Sequence, residues 1–184
     1  MLPLGTMIPE FRLRDLDDRV VSSADVSGGA ALLVAFICPH CPFVKHIRQE
    51  FARVASDYAA RAVSVVAINS NDIAARPQDG LEGMRDEARA AGYTFPYLLD
   101  EQQDVARAFH AACTPDLFLF DAGGMLVYRG QFDDSRPGNG VPVTGADLRA
   151  ALDAVLGGTL VVAAQKASVG CNIKWKPGNH PGYV

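Results

Sequence analysis

Four cysteines carry the reactive potential of this 184-residue chain: Cys38, Cys41, Cys113 and Cys171. Two of them stand at CxxC spacing, as Cys38-Pro39-His40-Cys41, after an apolar run and before a stretch of helical period. Two thiols three positions apart at the head of a helix can close a small disulfide ring. The helix dipole and the unpaired N–H groups of the first turn favour the thiolate, which is the reactive form of cysteine. The expected chemistry is thiol–disulfide exchange, which runs through a mixed disulfide with a partner sulfur. The competing use of a CxxC is half of a zinc site, but zinc normally takes a second matched pair, and Cys113 and Cys171 lie far apart in sequence. No metal and no other cofactor is expected.

The rest of the composition narrows the setting. With 49% apolar residues the chain can bury the core of one α/β domain spanning 1–184, with an N-terminal extension (1–26) and an irregular C-terminal tail (157–184). A net charge of -4 argues against nucleic acid or an anionic membrane as main partner. No apolar run approaches the ~18 residues of a membrane span. The stretch Met1-Leu2-Pro3-Leu4-Gly5-Thr6-Met7 lacks the basic segment and long apolar core of an export signal, so the cytoplasm is the expected compartment. In a reducing compartment a CxxC is catalytic or metal-binding more often than structural.

Periodicity supplies the elements that must hold the thiols. Phe11 and Leu13 alternate with Arg12 and Arg14, and Arg19 to Val21 can return as a second short strand. Leu32 to Ile37 and Val63 to Ile68 are continuous apolar runs, as in strands buried on both faces. Between them Phe43, Ile47, Phe51, Val54 and Tyr58 recur at helical spacing, with Pro42 suited to the first turn. Asn69-Ser70-Asn71-Asp72 reads as a strand-ending turn that could also line a substrate rim. Leu81, Met84, Ala88 and Ala91 mark a helix stopped by Gly92, Tyr97 to Leu99 a short strand, and Val105, Ala106 and Phe109 a short helix. Leu117 to Phe120 and Met125 to Tyr128 form a hairpin, Asp133 to Pro142 a loop with Asp133 and Asp134 solvated, and Thr144 the cap of a last helix. The predicted order is βαβ, an inserted helix, then αββα, a central mixed sheet with helices on both faces.

Strand, CxxC, helix, and then Thr114-Pro115 before a hairpin resemble the thioredoxin fold. The N-terminal strands and the helix before Tyr97 are similar to its redoxin branch, which includes peroxiredoxins and TlpA-type reductases. Phe36-x-Cys38-x-His40-Cys41-Pro42, Ala67-Ile68-Asn69-Ser70-Asn71-Asp72, Cys113-Thr114-Pro115-Asp116 and Cys171-Asn172-Ile173-Lys174-Trp175-Lys176-Pro177-Gly178-Asn179 resemble the peroxiredoxin-like (AhpC/TSA-type) redoxins that carry a CxxC. The resemblance implies Cys38 as nucleophile nearer solvent and Cys41 as resolving thiol. It also implies Pro115 as a cis-proline facing them, with the main chain of Thr114 free to pair with a bound peptide. Pro39-His40 is the pair of the oxidising DsbA-type enzymes, where the histidine helps hold the first thiol as thiolate. The implied partners are protein disulfides or small thiols, with a thioredoxin-reductase-type electron donor among the sources admitted; no oligomeric state follows. Thioredoxin's buried acid falls here on Leu32, so the proton acceptor for Cys41 must be another group or water.

Two other classes compete. In a thiol peroxidase Cys41-Pro42 would be the peroxidatic cysteine and its proline, but Thr114-Pro115 stands where that site needs an arginine. In a metal-binding or interaction module His40, Cys113 and His110 could hold copper. Cys113 reads as buried filler or auxiliary thiol, Cys171 equally as structural anchor or relay thiol, His46 and His110 as helix-surface residues, and Trp175 as a packing anchor for the tail.

Overall fold

The alternation around Leu13 becomes strand β1 (Arg12–Asp15), which turns and pairs antiparallel with β2 (Val20–Ser22). A one-turn helix, α1 (Ser23–Val26), follows, closed by a reciprocal capping box between Ser22 and Asp25. The first apolar run is β3 (Ala31–Phe36), buried at every position, and Pro42 opens α2 (Pro42–Ala59). Then come β4 (Val63–Asn69), a single 3-10 turn at Pro77–Asp79, α3 (Leu81–Ala91), β5 (Tyr97–Leu99) and α4 (Asp104–Ala108). The chain closes with β6 (Cys113–Thr114), β7 (Asp116–Asp121), β8 (Leu126–Gly130), α5 (Ala146–Leu156) and β9 (Cys171–Asn172). These elements come from a computed structural model that describes residues 2–162 and 164–183.

Seven strands form one sheet in the order β2-β1-β5-β4-β3-β7-β8, and β6 pairs with β9 in a separate ribbon. β3 runs parallel to β4 and antiparallel to β7, so the strand that leads into the cysteines lies well inside the sheet. Its side chains alternate between two cores. Leu33, Ala35 and Ile37 pack with Phe51, Val54, Met84 and Leu152 on one face. Leu32, Val34 and Phe36 pack with Phe109, Phe118, Phe120 and Ile173 on the other. Phe109 sits edge-on to Phe36 and Phe118 at 5.4 and 5.5 Å, the favoured aromatic geometry. Among the described residues, no helix is long and apolar enough to cross a membrane.

Several expectations are corrected. Thr144 does not cap α5: its N-cap is Gly145, in left-handed backbone at φ 67°, without a side-chain cap bond. The buried Asp133 carboxylate takes over, accepting from the N–H groups of Thr144 and Gly145 at 2.7 Å each and from Ser135 at 2.8 Å. Asp133 is therefore a loop staple rather than a solvated acid, whereas Asp134 is exposed and paired with Lys166. Asp133→Ala leaves those donors unpaired and is expected to cost about 2 kcal/mol in urea unfolding. Leu81 is exposed; the buried face of α3 is Met84 and Glu87. The tail is irregular apart from β9, which pairs with β6 outside the main sheet.

Candidate active site

The redox loop is set by what flanks it. β3 ends at Phe36 and Cys41 is the N-cap of α2, with Pro42 in the first turn, so Cys38 to Cys41 span a tight connection between a buried strand and a helix head. Pro39 is buried under the start of α3, where Gly83 allows the approach. A Cβ there would lie 2.0 Å from the Gln78 carbonyl oxygen and 3.8 Å from Pro39 Cβ. His40 is the partly exposed lip, its side chain 27% accessible.

Both sulfurs converge on Thr114. Cys38 Sγ lies 3.3 Å from Thr114 Oγ1, and the Cys41 thiol donates to the Thr114 carbonyl oxygen at 3.1 Å. The Thr114–Pro115 peptide bond is cis. Cys38 is 1% exposed and Cys41 0%, so both sulfurs are buried and exposure hardly separates them. Nor is the Thr114 main chain free for a peptide, since it pairs with Cys171 of the tail. Cys113, on the other side of Thr114, is buried with its thiol directed at the Pro115 carbonyl oxygen, 3.6 Å away; burial pushes this thiol up.

The two thiols titrate as one unit. The neighbouring Cys38 thiol holds Cys41 down, and the Thr114 side chain and the N–H groups of Val44 and Cys171 act in the same direction. Cys41 in turn pushes Cys38 up, with burial and the nearby Asp79 carboxylate adding to the rise. Cys41 has a partner in either state: the thiol donates to the Thr114 carbonyl, and the thiolate accepts from the helix head. One carbonyl opposes several donors around Cys41, which favours its ionised form.

Two buried acids stand beside the pair, neither foreseen. Asp79, fully buried at the end of the 3-10 turn, accepts from the His40 N–H at 3.2 Å and from Asn71 Nδ2 at 2.8 Å. Its Oδ2 lies 2.5 Å from His40 Nδ1, a close contact without the alignment of a hydrogen bond. Cys38 Sγ, His40 Nδ1 and an Asp79 carboxylate oxygen all fall within 4.8 Å of one another. Glu87 on α3 accepts from Tyr97 Oη at 2.9 Å through one oxygen, while the other has no partner. Burial pushes its carboxyl up to about 7, and the charges of Asp79 and Cys41 add to that rise.

Asn69 to Asp72 do not line an open rim. They are buried, Asn69 Nδ2 donating to the Asp79 carbonyl at 2.7 Å and Ser70 Oγ to Asp100 at 2.8 Å. Asn71 Oδ1 accepts from the Lys174 N–H at 2.9 Å, and the Asp72 N–H donates to the Lys174 carbonyl at 2.8 Å. This polar turn joins Asp79 to the tail. Trp175 is partly buried against the second core, but Ile173, 3% exposed, is the deeper anchor. His110 lies just past α4 and stacks on Tyr183 at 4.7 Å, far in function from the thiols, and His46 is half-buried on α2.

A central mixed sheet flanked by helices, with a CxxC at a helix head facing Thr114-Pro115, defines a thioredoxin-fold redox protein. The AhpC/TSA family pattern matches residues 4–129, and the chain belongs to that family. A hypothetical protein from Sinorhizobium meliloti 1021 is 54% identical over 97% of both chains, with a TM-score of 0.94. An uncharacterized conserved protein from Geobacillus kaustophilus is 55% identical over 97% of this chain and 95% of that one, also at 0.94. A thiol:disulfide interchange protein of the thioredoxin family from Chlorobium tepidum TLS shares the fold at 21% identity, covering 85% of this chain and 100% of that one, TM-score 0.65. A search of curated proteins found no match.

Proposed function

We propose that this protein is a thiol–disulfide oxidoreductase whose working pair, Cys38 and Cys41, cycles between dithiol and disulfide. The observation that carries the reading is the convergence of the two sulfurs on Thr114 at the head of α2, at 3.3 and 3.1 Å. The family resemblance made Cys38 the attacking sulfur and Cys41 the resolving one. Both sulfurs are buried, and in this reading the donors around Cys41 favour the reverse, with Cys41 exchanging and Cys38 resolving. When Cys38 closes on a mixed disulfide at Cys41 its proton must leave. Asp79 is the acceptor within reach, and His40 passes the proton to water. Partners are protein disulfides or small thiols, the compartment is the cytoplasm, and reducing equivalents come from a thioredoxin-reductase-type donor.

The peroxidase alternative has less support, because the strongest influences on Cys41 are Cys38, Thr114 and main-chain N–H groups, with no guanidinium among them. A metal-binding role has one observation in its favour, the three donors of Cys38, His40 and Asp79.

The test is a redox titration of the whole protein in glutathione buffers, with acid quenching, alkylation and peptide mapping, run beside turnover of a protein disulfide with dithiothreitol. A two-electron transition that closes Cys38–Cys41, with multiple turnover, is the expected result. Hydrogen peroxide consumption without disulfide turnover would move the assignment to a peroxidase. Stoichiometric zinc held through dialysis, with neither activity, would leave a metal-binding module.

A further inference from the structure

The tail crosses the redox centre as a strap fastened on both sides. Before Cys171, the Lys166 carbonyl accepts from the Gln131 N–H at 3.0 Å and Ser168 Oγ donates to the Gly130 carbonyl at 2.8 Å. After it, the Ile173 N–H donates to the Ala112 carbonyl at 3.1 Å, and Lys174 is held by Asn71 and Asp72 at 2.9 and 2.8 Å. Between these ties β9 runs antiparallel to β6, with Cys171 in register with Thr114 and Asn172 with Cys113. The fit has no slack: a Cβ on Gly170 would meet the Thr114 carbonyl oxygen at 2.0 Å and the Pro115 nitrogen at 3.1 Å. Only glycine lets the strap lie flat there.

This register puts Cys171 against the residue on which both CxxC sulfurs converge. The Cys41 sulfur lies 3.1 Å from the carbonyl oxygen of that same Thr114, which places Cys41 and Cys171 side by side, each residue acting on the ionisation of the other's thiol. Exposure separates Cys171 from the other thiols. Cys38, Cys41 and Cys113 are buried, and Cys171 alone among the four is partly open to solvent. A disulfide exchange with any outside sulfur therefore meets Cys171 first.

We propose that Cys171 is a third catalytic thiol that relays disulfide exchange between the buried Cys38–Cys41 pair and partners outside, by attack on Cys41 Sγ. The proposal rests on the reading of Cys38 and Cys41 as the working pair. In the oxidised protein the Cys171 sulfur forms a bond to Cys41 Sγ as the Cys38–Cys41 bond breaks. The electron pair leaves on Cys38, which takes up a proton equivalent to the one Cys171 gave up. An external thiol then attacks Cys171, forming a mixed disulfide there and returning Cys41 as a thiol, and a second external thiol cleaves that mixed disulfide, leaving as the external disulfide and returning Cys171 as a thiol. Run in reverse, the same steps carry electrons from the pair to an external disulfide. In the reduced protein burial, with Cys41 acting in the same direction, pushes the Cys171 thiol up to about 11. Once Cys41 is in a disulfide its contribution is gone and Cys171 ionises more readily.

The experiment uses the full chain. The Cys38–Cys41 disulfide is closed with diamide, the oxidant is removed, and the protein is held at pH 8, acid-quenched, alkylated and mapped. Wild type is expected to show a Cys41–Cys171 isomer with free Cys38, in roughly a tenth of molecules or more. With glutathione added, the first glutathionylated residue is Cys171. Cys171→Ser, which keeps the main-chain pairing and is checked by circular dichroism, should lack the isomer and be reduced by glutathione at least about tenfold more slowly. Reduction of Cys171→Ser at the wild-type rate, or first glutathionylation at Cys38 or Cys41 in wild type, overturns the relay and leaves the oxidoreductase reading intact. Failure of wild type to close Cys38–Cys41 at all removes both. The site of first glutathionylation is read on wild type, so the relay remains testable even if the serine variant does not fold.

Discussion

Glu87→Gln is expected to stabilise the protein by about 3 kcal/mol at pH 8 and to leave its stability nearly unchanged at pH 4. The folded chain holds the Glu87 carboxyl up at about 7, against 4.5 when exposed, with burial the leading cause. Below pH 4.5 the group is protonated in both states and carries no penalty. Between 4.5 and 7 the unfolded chain releases its proton while the folded one keeps it, so the stability present in acid is lost progressively as pH rises through the folded value. Above pH 7 wild type bears the whole cost of a buried carboxylate with one unpartnered oxygen. Glutamine keeps the volume and still accepts from Tyr97 without the charge. Urea unfolding at the two pH values reads the difference. A destabilised variant at pH 8 would mean that the Tyr97 hydrogen bond to the carboxylate outweighs its burial.

A stability cost of that size has a counterpart in the redox site. Glu87 and Cys41 repel when both are charged, so a Glu87 that holds its proton to near neutrality leaves Cys41 free to carry the negative charge of the reduced pair. Thiolate stabilisation favours the reduced state and makes a disulfide more oxidising. If the pair cycles as proposed, its potential measured in glutathione buffers should vary with pH near 7 more steeply in wild type than in Glu87→Gln.

What the sequence made legible was local. Val34 through Ile37, the CxxC and the Ile47-Phe51-Val54 stripe specify strand, loop and helix within one short span, and they appear where periodicity put them. Cys171 was visible as a residue but not as a neighbour of Cys41. A two-residue pairing between Thr114 and Cys171 has no period, and its partners are separated by the hairpin and α5. The acids were hidden for a different reason. Glu87 lies one turn after Met84 on the buried face of α3, so the spacing carried a signal, but a charged residue in a helix full of charges reads as surface. Asp79 stands before Gly80 in a short stretch without periodicity. Its burial depends on Asn69 and Asn71 folding over it from the end of β4, a tertiary arrangement with no trace in local pattern. Asp133 was misread in the same way: the Thr144 and Gly145 N–H groups that bury it arrive from beyond its own loop.

Substitution of Asp79 should have the largest effect on the chemistry, and two variants separate its roles. Asp79→Ala strips acceptors from the His40 N–H and from Asn71 Nδ2, both held inside the protein. Unpaired buried donors cost about 1–3 kcal/mol each, so a loss of about 3 kcal/mol is expected, together with loosening of the redox loop and of the tail that Asn71 holds. Asp79→Asn keeps the shape but cannot take a proton from Cys38, and closure of the Cys38–Cys41 disulfide should slow by about 10²-fold. The equilibrium should move the other way. Asp79 pushes the Cys38 thiol up through its charge, so its neutralisation favours the ionised, reduced pair and raises the reduction potential by about 30 mV for each 1.4 kcal/mol of repulsion removed. General damage to the loop would slow exchange without making the disulfide a stronger oxidant. Stopped-flow closure rates and glutathione titration on the same Asp79→Asn preparation therefore decide the matter. An unchanged closure rate would exclude Asp79 as the proton acceptor, and a lowered potential would mean that its charge acts on the disulfide state rather than on the thiols.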